Sequence, residues 1–191
     1  MVNWVRTAFD STMWVWLAAE GVLQIRQLLR SGRTRQHEWR SLLVFAGLSV
    51  TGFGLAVPIG RALPALSYPV GPATSAVLLV LTWAGMGLRL WSIHTLGRYF
   101  RGTVHIQEGH RVVDRGPYRR LRHPAYTGAL LAAAALAVSF GNVASWLLVT
   151  VCLGLAVGYR IRVEERVLTT ALGEAYASYA ARTKRLIPGV W

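Results

Sequence analysis

Four apolar runs of near-spanning length set the terms for this chain. They are 41–60 ("SLLVFAGLSVTGFGLAVPIG"), 73–93 ("ATSAVLLVLTWAGMGLRLWSI"), 125–141 ("AYTGALLAAAALAVSFG") and 143–160 ("VASWLLVTVCLGLAVGYR"). A helix needs roughly 20 predominantly apolar residues to cross the hydrocarbon core of a bilayer. The runs therefore predict an all-α, polytopic membrane helix bundle. A further run, 12–29, carries Glu20, Gln24 and Arg26. It either spans with its polar side against other helices or lies at the interface. Only Asn142 separates 125–141 from 143–160, which predicts a tight helical hairpin.

The basic residues orient these runs. The connections 26–40 and 89–124 and the tail from 159 hold 19 of the 21 lysines and arginines, leaving only Arg6 and Arg61 elsewhere. With about five spans, all three connections fall on one side, which the positive-inside tendency makes cytoplasmic. The N-terminus and the short turns near 61–70 and 141–142 then lie outside. The expectation is an integral protein of the cell membrane with its polar face toward the cytoplasm.

A net charge of +13 raises the question of nucleic acid. A soluble nucleic-acid binder has no need of several membrane-length segments, so none is expected as a partner. The arginines are read instead as topology signals and as contacts to lipid head groups. Cys152 is the single cysteine and lies inside an apolar run, so no intrachain disulfide, CxxC or Cys/His metal site is expected. The N-terminus lacks the charged, apolar and cleavage regions of a signal peptide, so the chain is read as an uncleaved membrane protein.

Arginine-rich flanks do not account for every polar feature. The stretch "RGPYRRLRHPAYTG", residues 115–128, packs arginines, a histidine, two tyrosines, two prolines and two glycines against an apolar run. Pro124 suits the first turn of a helix, where its missing N–H costs nothing, and Gly116-Pro117 suits a turn. The segment is thus expected to be a fixed, turned structure at the mouth of the hairpin. Exposed N–H groups at a helix start favour a negatively charged ligand group.

A second cluster lies on the fifth run. Arg160 and Glu164 are four apart and share a helix face. Glu165 lies beside Glu164, and adjacent carboxylates near a membrane are costly without a cationic partner. Spacing alone leaves a purely structural ion pair as an equal alternative to a functional one. Apolar spacing persists past residue 168, so this helix is expected to project into the cytoplasm, break near Gly173 and restart as a short amphipathic helix with Tyr176 and Tyr179. The two clusters should converge at the cytoplasmic ends of the hairpin.

The elements "HRVVDRGPYRRLRHPAYTG" and "YRIRVEERVLTTALGEAYASYAARTKRLIPGVW" resemble the isoprenylcysteine carboxyl methyltransferase family, and related phospholipid N-methyltransferases share the pattern. The resemblance covers about residues 104–191. It rests on RHPxYxG, on R-x-x-x-E-E at the matching distance, and on the final RLIPG. The chain reads as one integral membrane domain over 1–191, with three membrane helices in 1–100, and the resemblance implies a catalytic region in 101–191. It further implies S-adenosylmethionine as cofactor, enclosed between the C-terminal helices and a cytosolic tail. Matched position by position, the cofactor contacts fall on Gln107, His110, Arg111, Val112, Val113, Tyr118, His123, Pro124, Ala125, Tyr126 and Glu164. Arg160 matches an arginine at the methyl acceptor and is the expected catalytic and substrate-binding residue.

These residue types suit methyl transfer to a lipophilic acid. A carboxylate acceptor is already ionised near neutral pH and needs no strong base, so positioning and exclusion of water dominate the task. A prenylcysteine-like carboxylate is the first choice of acceptor, with amines and thiols next. A sterol-type NADPH reductase resembles the same C-terminal region but typically has a larger body. A non-catalytic membrane protein is the third class. His37, His94 and His105 are read as interfacial or structural.

Overall fold

The structure is a computed structural model that describes residues 7–9, 11–12, 14–16, 18–19, 22, 39–99 and 112–190 of the 191. The run 12–29 lies largely outside the described residues, and those of it that are described are helical. Five α-helices follow: α1 (Trp39–Ala62), α2 (Pro72–Leu96), α3 (Pro124–Val138), α4 (Val143–Leu172) and α5 (Glu174–Arg182). No strand occurs among the described residues.

Three of these helices, α1, α2 and α4, are long and apolar enough to cross a membrane, and α3 is a shorter apolar helix. The chain is an all-α membrane helix bundle. Large apolar side chains such as Leu43, Val50, Val80, Trp83, Val151 and Leu155 stand on its outside, as lipid contact requires. The contacts between helices use small residues instead, which let backbones approach where water supplies no driving force. α2 packs on α3 at Gly85 and Gly128: a Cβ on Gly85 would lie 2.5 Å from the Gly128 carbonyl oxygen. α1 packs on α4, where Ser145 Oγ donates to the Ala56 carbonyl at 2.6 Å and Gly52 faces Cys152.

Asn142 organises the end of the bundle away from the arginines. Its Oδ1 accepts from the N–H groups of Ala144 and Ser145, capping α4, while its Nδ2 donates to the Leu63 carbonyl at 2.9 Å. The α1–α2 and α3–α4 turns are thereby pinned together. The opposite end collects the start of α1, the ends of α2 and α4 and the start of α3. This alternation is the one expected from the positions of the basic connections.

α4 runs for 30 residues, about 45 Å at 1.5 Å per residue, longer than the roughly 30 Å hydrocarbon core. Its last turns therefore extend beyond the apolar layer. The helix stops at Gly173, whose φ of 51° suits glycine, and α5 follows at once with Tyr176 and Tyr179 buried. The expected break and restart are both present.

Candidate active site

The polar stretch 115–128 folds as the sequence suggests. Gly116 takes a φ of 57° and opens a 3-10 turn over Gly116–Arg119. Pro124 occupies the first turn of α3, with His123 as its N-cap. The tail docks alongside: Arg122 N–H donates to the Lys184 carbonyl at 2.7 Å and His123 N–H to the Arg185 carbonyl at 3.0 Å. Thr127 Oγ1 donates to the Leu186 carbonyl at 2.8 Å, and Leu186 is buried with Val157 and Ile161 of α4.

The two acidic neighbours on α4 have separate surroundings. Glu165 is a hub for two guanidinium groups and an imidazole. Its Oε2 accepts from Arg185 Nε at 2.9 Å, and its Oε1 lies 3.2 Å from His123 Nε2 and 3.1 Å from Arg122 Nε. The Arg122 contact is one of charge rather than an aligned hydrogen bond, since that N–H finds no acceptor in line with it. The hydrogen bond to Glu165 also raises the pKa of Arg185. α3, α4 and the tail thus meet on one carboxylate.

Glu164 instead faces the Tyr126 hydroxyl, which donates to its Oε2 at 3.1 Å; His123 Nδ1 is 4.0 Å from the same oxygen. Its side chain keeps 29% of its exposure. Among the described residues, its Oε1 takes no hydrogen bond. The same Tyr126 hydroxyl accepts from Arg160 Nε at 2.8 Å. Arg160 is only 5% exposed, and its Nη1 donates to Ser41 Oγ of α1 at 3.2 Å. Arg160 and Glu164, one helical turn apart, are therefore joined through Tyr126.

α5 covers this cluster. The Tyr179 hydroxyl lies 2.8 Å from the Tyr118 carbonyl and 3.2 Å from that of Leu121 and donates to this pair. Burial pushes the Tyr179 hydroxyl up to about 12. Tyr118 is buried, and its hydroxyl is raised by that burial and by the charge of Glu164, so it stays a neutral donor. Tyr176 is also buried and has a hydroxyl with no hydrogen-bond partner among the described residues. Burial raises its pKa first, and the nearby charge of Glu165 raises it further.

Val112 and Val113 line a cavity of about 440 Å³ with Asp114, Arg115, Leu96, Gly97 and Tyr99, within the size range of small-molecule sites. Asp114 is held from outside by Arg182 of α5 at 3.1 Å, an exposed pair. Of the residues expected at the cofactor, His123, Pro124, Ala125 and Tyr126 sit together at the start of α3, and Glu164 faces Tyr126. Tyr118 lies beneath α5, and Val112 and Val113 line the cavity. Gln107, His110 and Arg111 lie outside the described residues. Sequence reasoning raised Glu165 only as a carboxylate in need of a cation and passed over Ser41 entirely. Tyr176 was expected only as part of an amphipathic helix.

Together these features define a polytopic helical membrane protein with a cluster of polar and charged side chains at one end of its helices. Residues 77–170 match the model of the isoprenylcysteine carboxyl methyltransferase (ICMT) family. The chain is 32% identical over 116 residues to a probable protein-S-isoprenylcysteine O-methyltransferase of Oryza sativa subsp. indica, covering 60% of this chain and 61% of the relative. It is 32% identical over 114 residues to protein-S-isoprenylcysteine O-methyltransferase B of Arabidopsis thaliana, covering 59% of this chain and 58% of the relative. The match thus spans about three fifths of the length of these plant relatives. The fold is like that of the eukaryotic intramembrane Ras methyltransferase ICMT solved without a monobody, with a TM-score of 0.67 over 97% of this chain and 67% of that one, at 22% identity.

Proposed function

We propose that the protein is an integral membrane methyltransferase that uses S-adenosylmethionine to esterify the carboxylate of a lipophilic acceptor, with a prenylcysteine-like acid as the leading candidate. The observation that carries this reading is the Arg160–Tyr126–Glu164 linkage. It sets a cationic fork and a partly exposed carboxylate one turn apart where α4 leaves the apolar layer. The family match and the names of the relatives support the same chemistry.

The residues present fit the cofactor. Glu164 offers a carboxylate oxygen without a hydrogen bond from any described residue, suited to ribose hydroxyls or an amino group. Tyr176 offers a buried hydroxyl without a partner among the described residues, and such a group calls for a ligand or a water. Val112 and Val113 present apolar surface to a cavity of suitable size. His123, Pro124, Ala125, Tyr126 and Tyr118 complete the assigned contacts, with Gln107, His110 and Arg111 assigned by the family pattern. Bound there, S-adenosylmethionine supplies a methyl group made electrophilic by its sulfonium.

Arg160 is assigned the acceptor. A guanidinium meets a carboxylate with a planar pair of N–H donors, and its burial strengthens that contact by keeping water away. No base is needed to ionise the acid. Exposed apolar side chains on the surrounding helices suit an acceptor that arrives through lipid. Orientation follows the arginine-rich connections, placing the site at the cytoplasmic face of the cell membrane.

Calorimetry on protein in lipid nanodiscs, with S-adenosylmethionine and NADPH in turn, tests the cofactor. A labelled-methyl screen over prenylcysteine, fatty-acid, amino-lipid and thiol acceptors tests the reaction. Binding of S-adenosylmethionine and a base-labile methyl ester are expected. Binding of NADPH alone would replace the proposal with a reductase.

A further inference from the structure

The tail crosses a boundary between Arg185 and Leu186. Arg185 reaches Glu165 at 2.9 Å, whereas Leu186 is buried with Val157 and Ile161 of α4, a cluster against which Phe45 of α1 and Leu130 of α3 also pack. Val157 belongs to the apolar run 143–160 and Phe45 to the run 41–60. Along the helix axes they sit about 10 Å inside Glu164 and about 8 Å inside Arg40. That depth is shallow in a hydrocarbon layer of roughly 30 Å.

The chain is fixed as far as Leu186 and then stands clear of the bundle. Backbone bonds tie Lys184 to Arg120 and Arg122 and tie Arg185 to His123, and Thr127 holds the Leu186 carbonyl. Among the described residues, the hydrogen bond beyond that point is internal to the turn: Val190 N–H donates to the Ile187 carbonyl at 3.1 Å, with Gly189 at a φ of 76°. Ile187 is 53% exposed and Val190 71%, and Pro188 and Gly189 are exposed as well.

A lone exposed aliphatic residue on a soluble protein needs no explanation. Two of them on one uncharged turn, fixed at the edge of an apolar layer, call for a partner of their own kind. The exposed cations Arg120 and Lys184 stand on the polar side of the boundary, where lipid head groups lie. The backbone limits how deep the turn can go. Pro188 has no N–H and that of Val190 is used within the turn, but those of Ile187 and Gly189 find no acceptor among the described residues. Such groups are too costly in hydrocarbon, and water and head groups reach them at the interface.

We propose that residues 187–190 form an interfacial membrane anchor: Ile187 and Val190 insert between the head groups and the acyl chains of the leaflet on the site's side, with Arg120 and Lys184 at the level of the head groups. The bilayer itself then helps to hold the tail against the start of α3 and against Glu165. The inference needs only the membrane spans and stands whatever the acceptor is.

The test uses full-length protein in nanodiscs of phosphatidylcholine and phosphatidylglycerol. Bimane is attached at Val190→Cys in a Cys152→Ser background, with Val50→Cys on α1 as the lipid reference and Ser178→Cys on α5 as the aqueous one. Quenching by iodide is compared with quenching by phosphatidylcholine that carries a doxyl group near the top of its acyl chain. The label at 190 is expected to be several-fold less sensitive to iodide than that at 178 and several-fold more sensitive to the doxyl lipid. Iodide access equal to that at 178, without lipid quenching, would overturn the proposal. A second arm changes the exposed side chains alone. Ile187→Asp/Val190→Asp should speed proteolysis of residues 183–190 in the nanodiscs about tenfold, because cleavage follows the population of the open form. Ile187→Leu/Val190→Leu should be cleaved at the wild-type rate. Equal rates for the two double variants would mean that the bilayer does not hold the tail, and the anchor would be rejected.

Discussion

The Tyr126 hydroxyl accepts a hydrogen bond from Arg160 Nε at 2.8 Å and donates its own to Glu164 Oε2 at 3.1 Å. The residue proposed for the acceptor and the residue proposed for the cofactor thus share one phenol. Tyr126→Phe should disturb both sides at once. Removing a hydrogen bond to a charged group costs about 1.5–3 kcal/mol, so kcat/KM should fall about 10- to 100-fold, with a smaller loss of cofactor affinity. By contrast, Arg160→Ala should spare cofactor affinity and Glu164→Ala should not. Measuring both quantities on all three variants checks this; identical profiles for Arg160→Ala and Glu164→Ala would reduce the trio to a structural pair.

Helix contact in the apolar layer can be tested at glycine. A Cβ on Gly85 or Gly128 would lie 2.5 Å from a backbone oxygen of the other helix, whereas one on Gly87 meets nothing within 4 Å. Backbone cannot move aside as a flexible side chain can. Gly85→Ala should therefore force α2 and α3 apart and destabilise the protein by about 1–3 kcal/mol or more, while Gly87→Ala should be neutral. Apparent Tm values in one detergent decide it; equal values for the two would mean that the crossing is not tight.

Much of this architecture was legible from the chain because single residues dictate it locally. Pro124 could only begin a helix, Gly173 could break one, and Asn142 stood alone between two apolar runs. The site was legible only in part. Adjacent residues on a helix point about 100° apart, so Glu164 and Glu165 were certain to face different surroundings, but which met the cations depended on where the tail docks. Arg185 reaches Glu165 from 20 residues away, and Ser41 reaches Arg160 from 119. No spacing rule links such pairs, and a serine within an apolar run carries no signal until its neighbour is known.

Glu165 should matter more for integrity than for chemistry. It joins α3, α4 and the tail through His123, Arg122 and Arg185, with its side chain only 13% exposed. Removing one member of a buried pair strands its partners' charges, at about 3–5 kcal/mol. Glu165→Ala should lower the apparent Tm sharply and open residues 183–190 to proteolysis. Arg185→Ala, whose side chain is 38% exposed, should do so more weakly. A Glu165→Ala protein as stable as wild type would contradict the hub.

Orientation can be read with an impermeant thiol reagent in a Cys152→Ser background. Leu66 lies in the turn between α1 and α2, and Ser178 lies on α5; both are exposed. Leu66→Cys should be labelled on intact cells, and Ser178→Cys only after permeabilisation. The reverse pattern would place the site outside.

Tyr176 separates a ligand site from a packing feature. Its hydroxyl is buried without a partner among the described residues, beside the charges of Glu165 and Glu164. An unsatisfied buried hydroxyl destabilises the protein that carries it, so Tyr176→Phe should leave the ligand-free protein as stable as wild type or slightly more so. If the hydroxyl meets the cofactor, the same variant should bind S-adenosylmethionine about 5- to 30-fold more weakly, corresponding to about 1–2 kcal/mol, and the Tm gain on adding ligand should shrink accordingly. A hydroxyl that serves only packing would show the opposite pattern: lower stability without ligand and unchanged affinity. Paired Tm measurements with and without S-adenosylmethionine, together with calorimetry, distinguish the two, and unchanged affinity in Tyr176→Phe would remove this residue from the cofactor site.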